Sequence, residues 1–352
     1  MSVKLCVLFG GVSSEHEVSR ISAASVLENL HRDRYELTVL GITRDGRWLH
    51  YTGPAQLIAE DKWEAPEYTA PAILSPDRSH GGLLVKKETG WENLSVDVVF
   101  PVLHGKNGED GTIQGLLALS GIPCVGCGVL SSAMCMDKAI AHSVLQAAGV
   151  PKAKLLALYE DEAQDMQAVE ARFARELGYP LFIKPANAGS SVGITKAHNP
   201  AELEAALKAA FVHDRKIVAE EAIAGKEVEC AIMGNRSPVA AQVLGEIAPV
   251  KEFYDYEAKY VDGTTELHIP ARIDEVTAQR VRKTAVQAYQ ALECAGLARV
   301  DFFVQADGKI ILNEINTLPG FTSISMYPKL FTASGVAYSD LIDRLIEYAL
   351  KG

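Results

Sequence analysis

Residues 298–316 read ARVDFFVQADGKIILNEIN, two apolar-rich runs on either side of Asp307-Gly308. Asp-Gly between such runs is a strong two-residue hairpin signal, because the tight turn needs positive φ at its centre. With these two residues as the turn, Ala306 opposes Lys309, Asp301 opposes Glu314 and Arg299 opposes Asn316. The last four side chains then share one face, since side chains alternate with period two. The other face carries Val300, Phe302 and Val304 against Ile311, Asn313 and Ile315, and suits a core. An aspartate directly opposite a glutamate repels it unless a cation lies between them. Magnesium takes oxygen ligands, usually one or two carboxylates with substrate phosphates and water. Asp301, Glu314 and Asn316 supply oxygens of that kind. The competing reading is a solvated polar face with Arg299 as counter-ion.

The chain around this hairpin alternates strands and helices. KLCVLFGG is a buried-type strand ending in two glycines. SSEHEVSRISAASVLENL follows, with Val18, Ile21, Ala24, Val26 and Leu27 at helical spacing. YELTVLGIT and VDVVFPVLHG are further strands. The pattern implies an α/β fold beginning with a parallel, doubly wound sheet. Ligands of such sheets lie beyond the strand C-termini, where GGVSSEHE and HGKNGEDG fall. DKAIAHSVLQAAGVP is a helix punctuated by Gly149 and Pro151. LGYPLFIKPANAGSSVGITKA is strand, loop, strand; NPAELEAALKAAF is a helix with Asn199 as N-cap, Pro200 at N1 and Glu202 at N3. KIVAEEAI, EVECAIMG and SPVAAQVLGEI are strands. TAQRVRKTAVQAYQALECAG is a helix with Val281, Ala285, Ala288 and Leu292 on one face and Gly296 as its C′ residue. The last helix turns Leu341, Ile342, Leu345, Ile346 and Ala349 inward.

A chain of 352 residues, 48% apolar, has room for two or three domains and a sizeable core. Its net charge of −11 argues against a general nucleic-acid or anionic-membrane binder. No run is apolar for long enough to span a bilayer, and MSVKLCVLFGG reads as a first strand, not a signal peptide. A cytoplasmic protein is expected. Cys124-Val-Gly-Cys127 is a lone CxxC, better read as reduced thiols than as a zinc or redox site.

The loop PANAGSSVG, with Lys184 just before it, offers serial backbone N–H groups to phosphate oxygens. Neither the P-loop spacing nor GxGxxG is present. Joined to Lys138 in MDK, a strand ending Glu220-Glu221 and the carboxylate hairpin, the loop suggests a nucleotide held between two α+β modules.

In this combination the chain resembles the ATP-grasp superfamily and, within it, the D-alanine–D-alanine ligases. The motifs that carry the resemblance are GGVSSEHEVS, HGKNGEDGTIQG, MDK, KPANAGSSVG, EFYDYEAKY, ARVD and NEINTLPGFTS, which span essentially the whole chain. The resemblance implies an N-terminal α/β substrate domain over 1–124, a central ATP-grasp unit over 125–222 and a catalytic unit over 223–352. It implies ATP-dependent, ADP-forming ligation of two D-alanines through a D-alanyl phosphate, for peptidoglycan precursors, in a homodimer. By similarity, Lys138, Lys184 and Ser191 contact ATP phosphates, Glu220 and Ile223 line the adenine site, and Glu227 holds the ribose. A family aromatic near the adenine is replaced by Ala222. Asp301, Glu314 and Asn316 are implied ligands of two Mg²⁺ (or Mn²⁺) ions. The resemblance implies that Arg299 stabilises the transferring phosphoryl group and the tetrahedral intermediate, with the backbone of Gly320 as an added oxyanion donor. By the same resemblance, Glu15 would hold the ammonium of the first D-alanine and join Ser190 and Tyr260 in a hydrogen-bonded set. His104 is an expected substrate neighbour, and Lys259 and Ser325 would hold the carboxylate of the second D-alanine.

Two positions bear on the second substrate. Related resistance ligases make D-alanyl-D-lactate or D-alanyl-D-serine. The lactate makers tend to place a histidine in the EFYDYEAKY region, where this chain has Tyr260. A protonated histidine about 4 Å from an ammonium nucleophile would cost roughly 1–4 kcal/mol. The resistance ligases also tend to carry arginine where this chain has Met326. Both points favour D-alanine, with D-serine as the alternative. EFYDYEAKY (252–260) itself reads as a lid whose aromatics pack down and exclude water from an acyl phosphate.

Overall fold

The computed structural model describes residues 2–190, 192–248 and 266–352. Three sheets organise them. In the first, β1 (Val3–Gly10) runs parallel to β2 (Tyr35–Ile42) on one side and β7 (Val98–Val102) on the other. Leu5, Val7 and Phe9 of β1 enter one core and Cys6 and Leu8 another, which is why the strand is apolar throughout. The expected parallel arrangement is confined to these three strands. An antiparallel meander of β3 (Trp48–Tyr51), β4 (Thr69–Leu74), β5 (Gly82–Lys87) and β6 (Gly90–Ser95) extends the sheet outward from β2.

Helix α1 (His16–Asn29) follows β1 and buries Val18, Ala24, Val26 and Leu27. Ile21 departs from the expected stripe and is 40% exposed. The same face of the sheet is also covered from the far end of the chain. Phe321, Tyr327, Leu341, Ile342, Leu345 and Ile346 share a core with Leu5, Val7 and Phe100. Burying each large aliphatic side chain contributes about 1.5–3 kcal/mol as an upper estimate. The C-terminal helix is thus a structural part of the N-terminal sheet.

The second sheet comprises β8 (Leu155–Tyr159), β9 (Leu181–Pro185), β10 (Thr195–Ala197) and β11 (Lys216–Glu221), in the order β10-β9-β11-β8. Its long crossing helix Pro200–Phe211 starts as expected: the Asn199 side chain accepts from Ala201 N at 3.0 Å. Glu202 reaches one residue further back than the standard box, to His198 N at 2.9 Å.

The third sheet holds β12 (Lys226–Met233), β13 (Val239–Ala240), β14 (Gly245–Ala248), β15 (Glu266–His268), β16 (Leu297–Val304) and β17 (Ile310–Asn316). The segment SPVAAQVLGEI is therefore two short strands. Helix Glu275–Ala291 lays Val281, Ala285, Ala288 and Leu292 on this sheet, as its spacing predicts. Its C′ residue is Glu293, not Gly296. Glu293 adopts φ 51°, and Cys294 N donates to Tyr289 O (3.0 Å) while Glu293 N donates to Gln290 O (3.1 Å), a Schellman closure. Gly296 is needed for another reason: a Cβ there would lie 2.9 Å from Gly126 Cα.

The β16–β17 hairpin corrects one expectation. Gln305 N donates to Lys309 O and Gly308 N to Gln305 O, both at 2.9 Å, so the loop has three residues, 306–308, with Gly308 at φ 79°. Near the turn Phe302 therefore faces Leu312, not Asn313, and Val304 faces Ile310. The register then shifts between Asp301 and Phe302, and Asp301↔Glu314 and Arg299↔Asn316 stand as expected. Asn313 is the extra residue of this bulge.

All six cysteines are free, including Cys124 and Cys127. Among the described residues, no helix is long and apolar enough to cross a membrane.

Candidate active site

The three sheets meet around one cleft. It is lined by Glu15, His104, Lys138, Lys184, Ser190, Glu220, Ile223, Glu227, Arg299, Asp301, Glu314, Asn316, Gly320, Ser325 and Met326. Ser191, Lys259, Tyr260 and the rest of EFYDYEAKY lie outside the described residues.

Glu15 immediately precedes α1, beyond the carboxyl end of β1, and is only 7% exposed. Ser190, at the tip of the central loop with φ 49°, donates its hydroxyl to Glu15. A single carboxylate thereby ties the first sheet to the glycine-serine loop. Gly105, just past β7, makes room for it: its φ is 67°, and a Cβ there would sit 2.4 Å from Glu15 Oε2. His104 is buried at the same strand end, with Nδ1 2.9 Å from Leu318 O and Nε2 3.3 Å from Ser22 Oγ. A carbonyl accepts only, so Nδ1 carries the proton and Nε2 accepts from Ser22. Burial pushes the His104 pKa down, which keeps the ring neutral.

The cationic wall comes from two elements. Asp137 caps the helix Lys138–Ala147 by accepting from Ala139 N and Ile140 N at 3.1 Å, so Lys138 sits in its first turn. Lys138 Nζ donates to Ala188 O at 2.6 Å and so also holds the central loop. Lys184 on β9 pairs with Glu220 on β11. Burial alone would raise the Glu220 carboxyl, but Lys184, Lys152 and Lys138 outweigh it and hold its pKa below the usual range. Burial lowers Lys138, and brings Lys152 to about 8.

The acidic wall is the hairpin. Arg299 grips Asp301 with two hydrogen bonds, Nε to Oδ1 at 2.8 Å and Nη2 to Oδ2 at 2.7 Å. It also pairs with Glu229 at 3.1 Å. Burial opposes the Arg299 charge, but Asp301, Glu229 and Glu314 raise its pKa well above the normal value. Asn316 Nδ2 donates to Asp301 Oδ2 at 3.0 Å. Two opposed carboxylates and a carboxamide form a hard-oxygen donor set with neither thiol nor imidazole, and this fits magnesium or manganese.

Beyond β17 the chain turns back over the cleft. Ser325 precedes helix Met326–Ala333, and its Oγ accepts from Thr322 N at 3.0 Å. Met326 is buried.

Three ionisable groups of the cleft are not marked by the sequence reading. Glu229 lies two residues from Glu227 on β12 and opposite Asp301; the period of two was the available signal. Glu109 of HGKNGEDG accepts from Gly105 N at 3.1 Å, and burial followed by the nearby Glu15 raises its pKa well above the carboxylate range. Lys152 had no local signal, because its place depends on β17.

A nucleotide-sized cleft between two α+β sheets, with lysines on one wall and opposed carboxylates on the other, defines an ATP-grasp enzyme. Residues 4–127 match the family described as D-ala D-ala ligase N-terminus, and residues 144–347 its C-terminus. The chain belongs to the D-alanine–D-alanine ligase family. It is 50% identical to a D-alanine–D-alanine ligase of Clostridium acetobutylicum over 351 residues, covering 99% of this chain and 98% of the relative. Among solved structures it is similar to the VanG D-Ala:D-Ser ligase from Enterococcus faecalis, with a TM-score of 0.90 and 43% identity over 99% of this chain and 100% of that one. It is also similar to the D-alanine–D-alanine ligase from Coxiella burnetii, with a TM-score of 0.83 and 34% identity over 99% and 96%.

Proposed function

We propose that the protein joins two D-alanine molecules with ATP, forming ADP, phosphate and D-alanyl-D-alanine for cell-wall precursor synthesis. A carboxylate is a poor electrophile because its oxygen is a poor leaving group. Its oxygen attacks the γ-phosphorus of ATP; the bond from that phosphorus to the bridging oxygen breaks and ADP leaves. The neutral amine of the second D-alanine then attacks the acyl carbon, the C–O bond to phosphate breaks, and the nitrogen loses a proton.

The chain's own residues supply position and charge. Glu15, fixed by Ser190, holds the ammonium of the first D-alanine beside His104. Lys138 and Lys184 hold phosphates, Glu220 and Ile223 the adenine, and Glu227 the ribose. Arg299 stabilises charge on the transferring group, with Gly320 N–H as a further donor, and Ser325 holds the second carboxylate. Asp301, Glu314 and Asn316 would hold two magnesium or manganese ions. Held there, such ions would supply positive charge for the phosphoryl oxygens. A division at 1–124, 125–222 and 223–352 assigns the first substrate to one unit and ATP to the seam between the others. The exposed Leu119 (66%) and Leu130 (59%) suit a homodimer contact, and a cytoplasmic location suits the substrates.

The observation that carries this reading is the meeting in one cleft of Glu15, the two lysines and the Arg299–Asp301–Glu314–Asn316 cluster. The close match to a D-Ala:D-Ser ligase structure motivates the second reading, D-serine as nucleophile. Buried Met326, in place of an arginine, favours D-alanine. Phosphate release from ATP, with D-alanine, D-serine and D-lactate in competition and products identified by mass, decides between them. No D-alanine-dependent release refutes the proposal; a dominant mixed product favours the second reading.

A further inference from the structure

Two registers compete within one hairpin. The three-residue loop at 306–308 sets Phe302 against Leu312, whereas the acidic cluster has Asp301 opposite Glu314. The difference of one residue is absorbed at Asn313. A bulged residue falls out of the ladder, so its carbonyl needs a partner from elsewhere. Lys152 provides one: its Nζ donates to Asn313 O at 2.6 Å. The backbone beside it is fastened too, as Leu312 N donates to Pro151 O at 2.8 Å. Residues 151–152 therefore run along the outer edge of β17 and clamp the bulge from the side opposite β16.

We propose that Lys152 is a positioning residue that fixes the Asn313 bulge and thereby aims Glu314 at the metal site. The inference rests on the metal reading given above. One residue's slip at this point would turn Glu314 to the other face of the strand. An ammonium suits the task because a charge-assisted bond to a carbonyl is stronger than a neutral one. A direct contact with the adenosine part of the nucleotide is the rival role, since Lys152 lines the same cleft as Glu220 and Ile223.

The test compares wild type with Lys152→Met, Lys152→Arg and Glu314→Gln. Mn²⁺ binding is read by electron paramagnetic resonance with a non-hydrolysable ATP analogue present. Hydrogen exchange at amides 312–316 is read without metal, and adenosine binding by ligand-observed NMR. Supporting groups of metal ligands typically affect affinity about 10–100-fold, so Lys152→Met should weaken Mn²⁺ binding by at least about tenfold. It should also speed exchange at 312–316 and leave adenosine binding unchanged, while Lys152→Arg restores most of the affinity. Unchanged exchange in Lys152→Met, or Mn²⁺ affinity kept while Glu314→Gln loses it, overturns the proposal. Loss of adenosine binding with normal exchange assigns the nucleotide-contact role instead. Unchanged Mn²⁺ binding in Glu314→Gln refutes the metal reading itself, and the metal-free exchange then still decides whether Lys152 holds the bulge.

Discussion

Arg299→Ala removes the cation that Asp301 and Glu229 share. Those carboxylates are 9% and 5% exposed, and they lose contacts of 2.7–2.8 Å and 3.1 Å respectively. Removing one partner of a buried ion pair costs about 3–5 kcal/mol. The Arg299 side chain is 20% exposed, which places the expected loss of stability at the low end, about 3 kcal/mol. The catalytic loss should be larger, because in the proposed role the guanidinium would act where charge develops. An arginine in this role contributes about 10³–10⁵ in rate, or about 4–7 kcal/mol. On the proposed assignment, binding of ATP would rest mainly on Lys138, Lys184 and the adenine pocket and should change far less. The assay pairs phosphate release at saturating D-alanine with calorimetric binding of a non-hydrolysable ATP analogue. Turnover should fall at least about a thousandfold while affinity stays within about tenfold. Arg299→Lys should recover stability more than rate, since it keeps the charge and loses the planar fork. Turnover within about tenfold of wild type, or rate and affinity falling in proportion, would remove Arg299 from the transition state.

Gly105→Ala should cost about 1–2 kcal/mol for a left-handed backbone and also displace Glu15. The readout is a raised KM for the first D-alanine; an unchanged KM would show that Glu15 is not held there. Glu15→Gln should raise the same KM without weakening binding of the ATP analogue, and equal loss of both would place Glu15 in the nucleotide site. A fourth prediction concerns pH. Asp343 on the last helix is buried, which alone would raise its pKa. Its bonds with Tyr35 (2.6 Å), His31 (2.7 Å) and Arg34 hold it below its ordinary 3.8, so its contribution is present above that pH and lost as pH falls through the folded value. The hydrogen bond with Asp343 raises the His31 pKa above 6.5, so that contribution is full below 6.5 and fades as pH rises through the raised value. Thermal stability should thus gain most from this cluster between about pH 4 and 6.5. Asp343→Asn should flatten the profile; an unaltered pH dependence would dismiss the cluster.

Much of the site was legible because its chemistry is carried by short-range patterns. The Asp-Gly turn, period-two alternation and a count of residues placed Asp301 opposite Glu314 and Arg299 opposite Asn316. The same arithmetic failed at Phe302 and Asn313, where loop and bulge each shift the register by one and cancel. The agreement at the open end therefore reflects two compensating offsets. Gly296 misled for a related reason: glycine after a helix suggests a C′ residue, but Glu293 takes the left-handed turn and Gly296 is demanded by a contact with Gly126. Glu109 was passed over inside a recognised motif because burial, which sets its protonation, is not visible in a loop sequence.

The sequence by itself determined the periodicities, most of the caps, the family and the cleft residues that lie in its motifs, because local backbone preferences and motif residues are properties of neighbours along the chain. Tertiary structure alone decided three further matters. It laid the C-terminal helix on the N-terminal sheet, matching apolar faces about 300 residues apart. It brought Lys152 to the carbonyl of Asn313. It also set the charge states of His104, Glu109 and Glu220. Each depends on which distant group displaces water, and desolvation and Coulomb energy follow distance in space rather than position in sequence.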